Sequence, residues 1–419
     1  MSHIQHLRRL RAETRFRRCG QGALTIAVLI LVVLVGSVVW RGIPGFIQTQ
    51  VRLAVTFDPA LLDLANGGGI AGVRPYSYQL LAQASLRKLF PGAAGHDAQR
   101  ELDDLLSPND GEVIKPVLEK TPSLLGNSAK VWIPASSNAD LYIKGKISER
   151  TPEADRKLSD RQIAWINTLE TQGSVRRVFD TGFFTKGDSR APSAAGFLSA
   201  MIGSALTLVI CLLVAFPLGV MTAVYLEEFA RGNVLVRFIE VNINNLAAVP
   251  SIVFGLLGLA VYINLMGVPR SSPLVGGLTL AMMILPVIII ATRAAIASIP
   301  GSIRDAALAL GATHVQVAWQ HVLPLAMPGI MTGTILGLAR AIGETAPLLM
   351  IGMVAFVADI PSGFTSPATV MPVQIYLWAS SPEAGFAEKT AAGILVLIVL
   401  LLAMNALAIW LRRKFEVRW

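Results

Sequence analysis

The stretch 302-SIRDAALALGATHVQVAWQHVLP-324 reads as two short helices joined at a glycine. Ser302 followed by Asp305 has the S-x-x-acid form of a capping box, so a helix is expected to start there. Ala306, Ala307, Leu308, Ala309 and Leu310 are good helix formers. Gly311 can take the left-handed conformation that closes a helix at little steric cost. Thr313 and Gln316 make a second capping box, and the helix it opens runs through Val317, Trp319 and Val322 until Pro324 is expected to stop it. This stiff, polar elbow lies between two long apolar runs.

Six runs reach the roughly 20 mostly apolar residues that a spanning helix needs: 22–40, 197–226, 246–266, 273–292, 328–357 and 390–411. Five of them lack Asp, Glu, Lys and Arg, and 328–357 is the exception. The chain is 53% hydrophobic and 15% charged over 419 residues, with a mean hydropathy of +0.58, a balance that points to the bilayer as solvent. The runs carry helix breakers at Pro217, Pro250, Pro286 and Pro347. Such breakers are tolerated where neighbouring helices or water satisfy the freed backbone groups, which favours a transporter-like bundle over a simple anchor.

The net charge of +9 could suggest a nucleic-acid binder, but its location argues otherwise. Residues 1–18 carry a net +5 and the tail from Arg412 to Arg418 a net +3, so eight of the nine excess charges flank the first and last runs. Positive residues beside spans stay in the cytoplasm. Both termini are therefore expected inside, which an even number of spans also requires, and nucleic acid is excluded as a partner. On this alternation 42–192, 267–272 and 358–389 lie outside, and 227–238 and 293–327 inside. The chain divides into a basic N-terminus (1–21), an anchor (22–41), an extracytoplasmic segment (42–192), a five-span core (193–411) whose cytoplasmic loop 298–327 holds the elbow, and a basic tail (412–419). The first run reads as a retained anchor, because 19 uncharged residues exceed a signal peptide's hydrophobic region and no A-x-A site follows. Cys19 and Cys211 lie at or within runs, so no disulfide framework and no cysteine metal set is expected, and no cofactor is implied.

Segment 42–192 reads as mixed α/β. Amphipathic helices are expected at 78–90 and 154–169, the latter with Ile163, Ile166 and Leu169 at helical spacing. Short strands are expected at 131–133 and 141–147. The stretch GFFTKGDS at 182–189 falls short of a phosphate-cradling loop, with Asp188 where the lysine would stand, and reads as chance. A complete Walker A sequence is missing throughout, so the chain holds no nucleotide site of that kind.

Arg340 and Glu344 interrupt the fifth run. Each costs at least ~2.5 kcal/mol at mid-membrane, so such residues face the bundle interior or a water-filled path. Four residues apart, they share a helix face and can pair. Two roles remain open: an ion pair that fixes the bundle, or a lining or gate for an anion, whose oxygens suit the arginine fork. Arg293, at the cytoplasmic end of the fourth run, is read as snorkelling.

The elbow pattern, D-A-A-x3-G followed by Leu323-Pro324, resembles the E-A-A-x3-G loop of ABC importer permeases, with Asp305 for Glu and His321 where isoleucine is usual. In that family the loop is a coupling helix seated in a separate ATPase, which would give Asp305, Ala306, Ala307, Gly311, Leu323 and Pro324 that role. Three more stretches narrow the resemblance to phosphate-importer permeases: Ala223-Val-Tyr-Leu-Glu-Glu-Phe229, Val249-Pro-Ser-Ile-Val-Phe-Gly-Leu-Leu-Gly258 and Ala339-Arg-Ala-Ile-Gly-Glu-Thr-Ala-Pro-Leu-Leu349. The last is similar to the PstA type rather than the PstC type, and the N-terminal third resembles extended forms of it. The resemblance implies a six-span, all-α inner-membrane permease of the type I importer class with the α/β segment inserted on the periplasmic side. It implies a PstC-like second permease, a PstB-like ATPase dimer, a periplasmic PstS-like phosphate-binding protein, phosphate as cargo and contact with membrane lipid. Candidate pathway or gate residues are Arg340, Glu344, Thr345, Pro250 and Ser251. A permease for another oxyanion (phosphonate, sulfate or molybdate) is the alternative within transport, and a membrane-anchored sensor the alternative outside it.

Overall fold

Apolar periodicity turns most of the chain into helix, and a computed structural model describes residues 2–62, 73–230 and 232–415. The side chains of 2–12, Leu411 and Phe415 lie outside that description, as do Arg8, Arg9, Arg11, Glu416 and Arg418 of the basic termini. In chain order, helix α1 is Ser2–Gly42, followed by a 3-10 turn at Ile43–Phe46 and strand β1, Ile47–Thr56. Then come α2 (Pro75–Leu89), α3 (His96–Asp103), α4 (Gly111–Lys120), β2 (Ser128–Pro134), α5 (Ser137–Ile143), α6 (Asp160–Thr171), β3 (Val175–Phe179) and α7 (Gly182–Thr185). The remainder is α8 (Leu198–Val224), α9 (Val234–Ala247), α10 (Ser251–Gly258), α11 (Pro273–Ala297), α12 (Gly301–Ala309), α13 (His314–Gln316), α14 (Leu323–Gly343), α15 (Ala346–Met350), α16 (Met371–Ala379) and α17 (Gly385–Phe415). Turns with π-helical bonding occupy Tyr225–Phe229, Leu259–Leu265 and Val317–Val322.

Among the described residues five stretches are long and apolar enough to cross a membrane: Glu13–Phe46, Leu198–Phe229, Pro273–Ala297, His314–Gly343 and Gly385–Lys414. A sixth exists if α9 and the helix Ser251–Leu265, bent by 103° at their junction, count as one span. The expected third run, 246–266, is thus not one straight helix. Pro250, extended at φ −56° and ψ 136°, ends the helical path there because its ring disfavours helical geometry in the residue before it. The fifth run is also broken. In a helix continued through Pro347 the ring would meet the carbonyl of Gly343, and the observed helix stops at Gly343 with Glu344 extended at ψ 122°. Arg340 and Glu344 therefore flank a helix end rather than the middle of a 30-residue helix.

The N-terminal domain has a three-stranded antiparallel sheet in the order β2-β1-β3. Val51, Leu53, Val55, Val131 and Ile133 point to one face and are buried against α2, α4 and α6. The helices expected at 78–90 and 154–169 form as α2 and α6; the second starts at Asp160, where Ser159 and Gln162 make a capping box. The strand expected at 131–133 lies within β2, but 141–147 is not a strand. Its first three residues close α5, because the Ser136 side chain accepts from Ala139 N and starts a helix there.

Buried charges and aromatics weld this domain to α17. Lys389 Nζ lies 2.5 Å from Asp180 Oδ2, with both side chains under a tenth exposed, and 5.2 Å from the Phe183 ring. Lys144 Nζ reaches Glu388 Oε2 at 2.9 Å and Asp140 Oδ2 at 2.6 Å. Phe46, Phe183, Phe197, Trp378 and Phe386 close the seam. Removing one member of such a pair leaves its partner as an uncompensated buried charge, a loss of about 3–5 kcal/mol.

Asp110 stands at the N-cap position of α4, yet it is fully buried and makes no side-chain cap bond there. Burial pushes its carboxyl from the ordinary 3.8 up to about 7. Between those values the folded domain holds a proton that the unfolded chain has lost, so stability falls as pH rises from about 4 to about 7, by a total of ~4 kcal/mol. We expect amide-exchange protection at Leu53 and Ile114, corrected for intrinsic rate, to fall between pH 5 and 7 in the wild type. The fall should be absent in Asp110→Asn, and an equal fall in both would refute this origin.

Candidate functional site

The elbow begins with α12, which starts at Gly301 after Pro300. The Ser302–Asp305 box does not form; no side-chain cap bond is made there. The helix enters two residues early because Pro300, extended at ψ 136°, has no N–H to satisfy and leads directly into the first turn. At the other end Gly311 takes φ +86°. Gly311 N donates to Leu308 O at 2.9 Å and Ala312 N to Ala307 O at 3.1 Å, the paired bonds of a Schellman motif. The second capping box forms as expected: the Thr313 hydroxyl accepts from Gln316 N, and Thr313 N donates to Gln316 Oε1 at 2.8 Å.

Pro324 does not stop the helix that follows. It sits in the first turn of α14, directly after the π turn Val317–Val322. The wider turn shifts the hydrogen-bond register just where proline lacks a donor and its ring needs room. Ala307, Val317, Ala318 and Val322 are buried inward, whereas Asp305 and Ala306 are exposed. Beside them Leu310 is 90% exposed, and Val315 and Trp319 are more than half exposed. The elbow therefore presents an apolar knob with an acidic neighbour.

Behind the knob lies an ion-pair hub. Arg304 of α12 donates through Nε and Nη2 to Glu228 Oε1 at 3.1 and 2.8 Å. It also donates to Ile299 O and Ile296 O at 2.8 and 3.0 Å, satisfying carbonyls at the end of α11. Arg293 donates to Glu227 Oε1 at 2.6 Å and Glu240 Oε1 at 2.7 Å. Snorkelling is thus the wrong account of Arg293, which joins α11, α9 and the end of α8. Sequence reasoning missed the hub. Its signal was an acidic pair, Glu227-Glu228, at the end of one apolar run, with lone arginines beside the ends of others.

At the second candidate site Arg340 Nε lies 3.5 Å from Glu344 Oε1, with the side chains 44% and 20% exposed. The breaks at Pro250 and at Glu344–Thr345 belong to one pair of short helices. Gly255 of α10 lies so close to α15 that a Cβ would be 2.7 Å from Pro347 O and 2.9 Å from Met350 Cβ. Further along, a Cβ at Gly258 would meet Ile351. α10 and α15 therefore run side by side in the same sense, and Pro250-Ser251 and Glu344-Thr345 open the same end of the pair. The elbow residues are a separate group on α12–α14.

Known proteins match both parts of the chain. A family described as binding-protein-dependent transport system inner membrane component matches residues 215–418. A family described as a domain of unknown function (DUF3333) matches residues 4–153. The chain is 36% identical over 214 residues to the phosphate transport system permease protein PstA of Mycobacterium leprae, covering 51% of this chain and 69% of that protein. It is 33% identical over 218 residues to PstA of Pasteurella multocida, covering 51% and 75%. It is 31% identical over 242 residues to the probable ABC transporter permease protein YqgI of Bacillus subtilis, covering 55% and 82%. Among solved structures, the inward facing MetNI methionine ABC transporter overlaps with a TM-score of 0.42 at 18% identity, covering 52% of this chain and 94% of that one. On relatives a third identical over more than two thirds of their length, the chain belongs to the PstA family of phosphate transport system permease proteins.

Proposed function

We propose that the chain is the membrane-spanning subunit of an ATP-driven phosphate importer and receives the ATPase stroke through the elbow. The observation that carries this is the elbow itself: an apolar knob of Leu310, Val315 and Trp319 beside Asp305, fixed by a Schellman motif and a capping box and backed by Arg304. Asp305, Ala306, Ala307, Gly311, Leu323 and Pro324 form the ATPase contact or its frame. The ATPase dimer is PstB-like, a PstC-like permease completes the pathway, and a PstS-like binding protein delivers phosphate. The basic ends lie in the cytoplasm of a bacterium, with the N-terminal domain in the periplasm, consistent with positive charge beside the first and last spans. Deleting the gene should abolish ATP-dependent uptake of labelled phosphate and spare sulfate, molybdate and phosphonate. Undiminished phosphate uptake would sink the reading.

Pro250, Ser251, Arg340, Glu344 and Thr345 line or gate the pathway in this scheme, with the positive ends of α10 and α15 turned to one side. Glu344→Gln keeps the size of the side chain and removes its charge, freeing Arg340 to hold an anion. We expect at least a tenfold fall in uptake from an intact complex. If uptake is unchanged, the pair only braces the helix end.

A further inference from the structure

The outward face of the N-terminal sheet holds a charged platform that the transport scheme does not use. Strand alternation sends Val51, Leu53 and Val55 into the core and Gln50 and Arg52 to the other side. In register, Arg52 lies opposite Trp132, and Gln50 opposite Arg176. Arg176 reaches across β1: its Nε and Nη2 donate to Gln50 Oε1 at 3.1 and 2.8 Å, and its guanidinium lies 4.1 Å from the Trp132 ring centre. The Arg52 guanidinium lies 5.5 Å from the same ring. Lys130 stands exposed on the same face, two residues from Trp132.

The charge here is segregated. Residues 42–192 hold 18 Lys and Arg against 17 Asp and Glu, yet none of the residues of β1, β2 or β3 is acidic. Among the described residues Arg52, Lys130 and Arg176 make no ion pair. Like charges gathered on one pleated face repel. Stacking on a single indole instead fixes the two guanidinium groups, that of Arg176 held further by Gln50 and that of Arg52 with no hydrogen-bond partner among the described residues, and the balancing anions must come from elsewhere.

We propose that this face docks the acidic surface of the importer's extracytoplasmic binding protein, an inference that rests on the transport reading above. A half-buried Trp132 flanked by the half-buried Arg52 and the exposed Arg176 and Lys130 offers the Trp and Arg side chains that protein interfaces use as anchors. Lipid headgroups fit less well. β1 leaves the end of α1 through one short turn, and at about 3.3 Å per residue Arg52 stands roughly 15 Å along the strand, beyond a headgroup layer of about 5–8 Å. A free phosphate ion fits less well too, because an open, flat face strips little water from a small ion.

The test uses the full importer in nanodiscs of zwitterionic lipid with its purified phosphate-binding protein. For the wild type, affinity should fall steeply with salt. For Arg52→Gln/Lys130→Gln/Arg176→Gln, we expect Kd to rise at least tenfold at low salt and its salt dependence to flatten. The binding-protein concentration giving half-maximal ATP hydrolysis should rise in parallel, with the maximal rate unchanged. Trp132→Ala, which leaves every charge in place, should raise Kd with the salt slope retained. Wild-type Kd and slope in the triple variant would overturn the proposal. So would a loss confined to vesicles containing phosphatidylglycerol, or to inorganic phosphate measured by calorimetry. Phosphate-stimulated turnover separates the two readings: if the wild type has none, the transport reading falls and takes this partner with it; if turnover is intact and affinity unchanged, only the docking face falls.

Discussion

Gly311→Val is expected to uncouple the transporter while leaving it in the membrane. Gly311 sits at φ +86°, where an L residue costs about 1–2 kcal/mol and a β-branched one more. A Cβ there meets no atom within 4 Å, so the substitution acts through backbone strain alone and not through a clash. The strain is relieved by opening the bonds from Gly311 N and Ala312 N, which set the angle between α12 and the helix that follows. Each 1.4 kcal/mol is a factor of ten in population. Phosphate-stimulated ATP hydrolysis by the assembled variant should therefore fall at least tenfold at normal membrane abundance. Gly311→Asn, which tolerates the left-handed region, should fall much less. Normal stimulation in the valine variant would refute the role of the elbow.

Arg304→Gln should have the next largest effect. It strands Glu228, whose side chain is only 10% exposed, and takes the guanidinium donors from the carbonyls of Ile299 and Ile296, the latter keeping its backbone partner Ile299 N. With Arg304 itself a quarter exposed, the loss should be roughly 2–4 kcal/mol, below that of a fully buried pair. The elbow then pushes on a loosened joint, and ATP consumed per phosphate imported should rise several-fold. Glu228→Gln should do the same, and the double variant should be little worse than either single one, the signature of residues acting as a unit. Additive losses would show that the two residues act separately.

Local rules made the elbow legible. Thr313–Gln316 and Gly311 depend on residues within six positions of one another, and both behave as their chemistry requires. The Ser302 box failed because Pro300, two residues upstream, had already set the entry to the helix. Hydropathy located every apolar run but not its breaks at Pro250 and Gly343. Proline is the local cause at Pro250 and Pro347, but Pro217 and Pro286 stay inside α8 and α11, and the packing that accompanies a break, Gly255 of α10 against α15, joins segments about 90 residues apart. The hub was hidden for the same reason: Arg304 and Glu228 are 76 residues apart, and only packing of α8, α11 and α12 brings them together. In the N-terminal domain the central strand β1 was overlooked, since its alternation begins where the long apolar helix ends.

The seam between the N-terminal domain and α17 bears on how such a chain could be assembled or shortened over time. Glu388 and Lys389 are adjacent on the final helix, and each is neutralised by a residue the shared permease region lacks: Lys144 for the first, Asp180 for the second. Deleting the domain alone would leave two bare charges where α17 was sheltered, so the domain cannot be lost in one step without harm to the last span. Gaining or shedding it requires matched change at both places. Family members without the domain should therefore carry uncharged or differently paired residues at the positions of 388 and 389, and finding the same Glu-Lys pair there would show that the seam imposes no such tie.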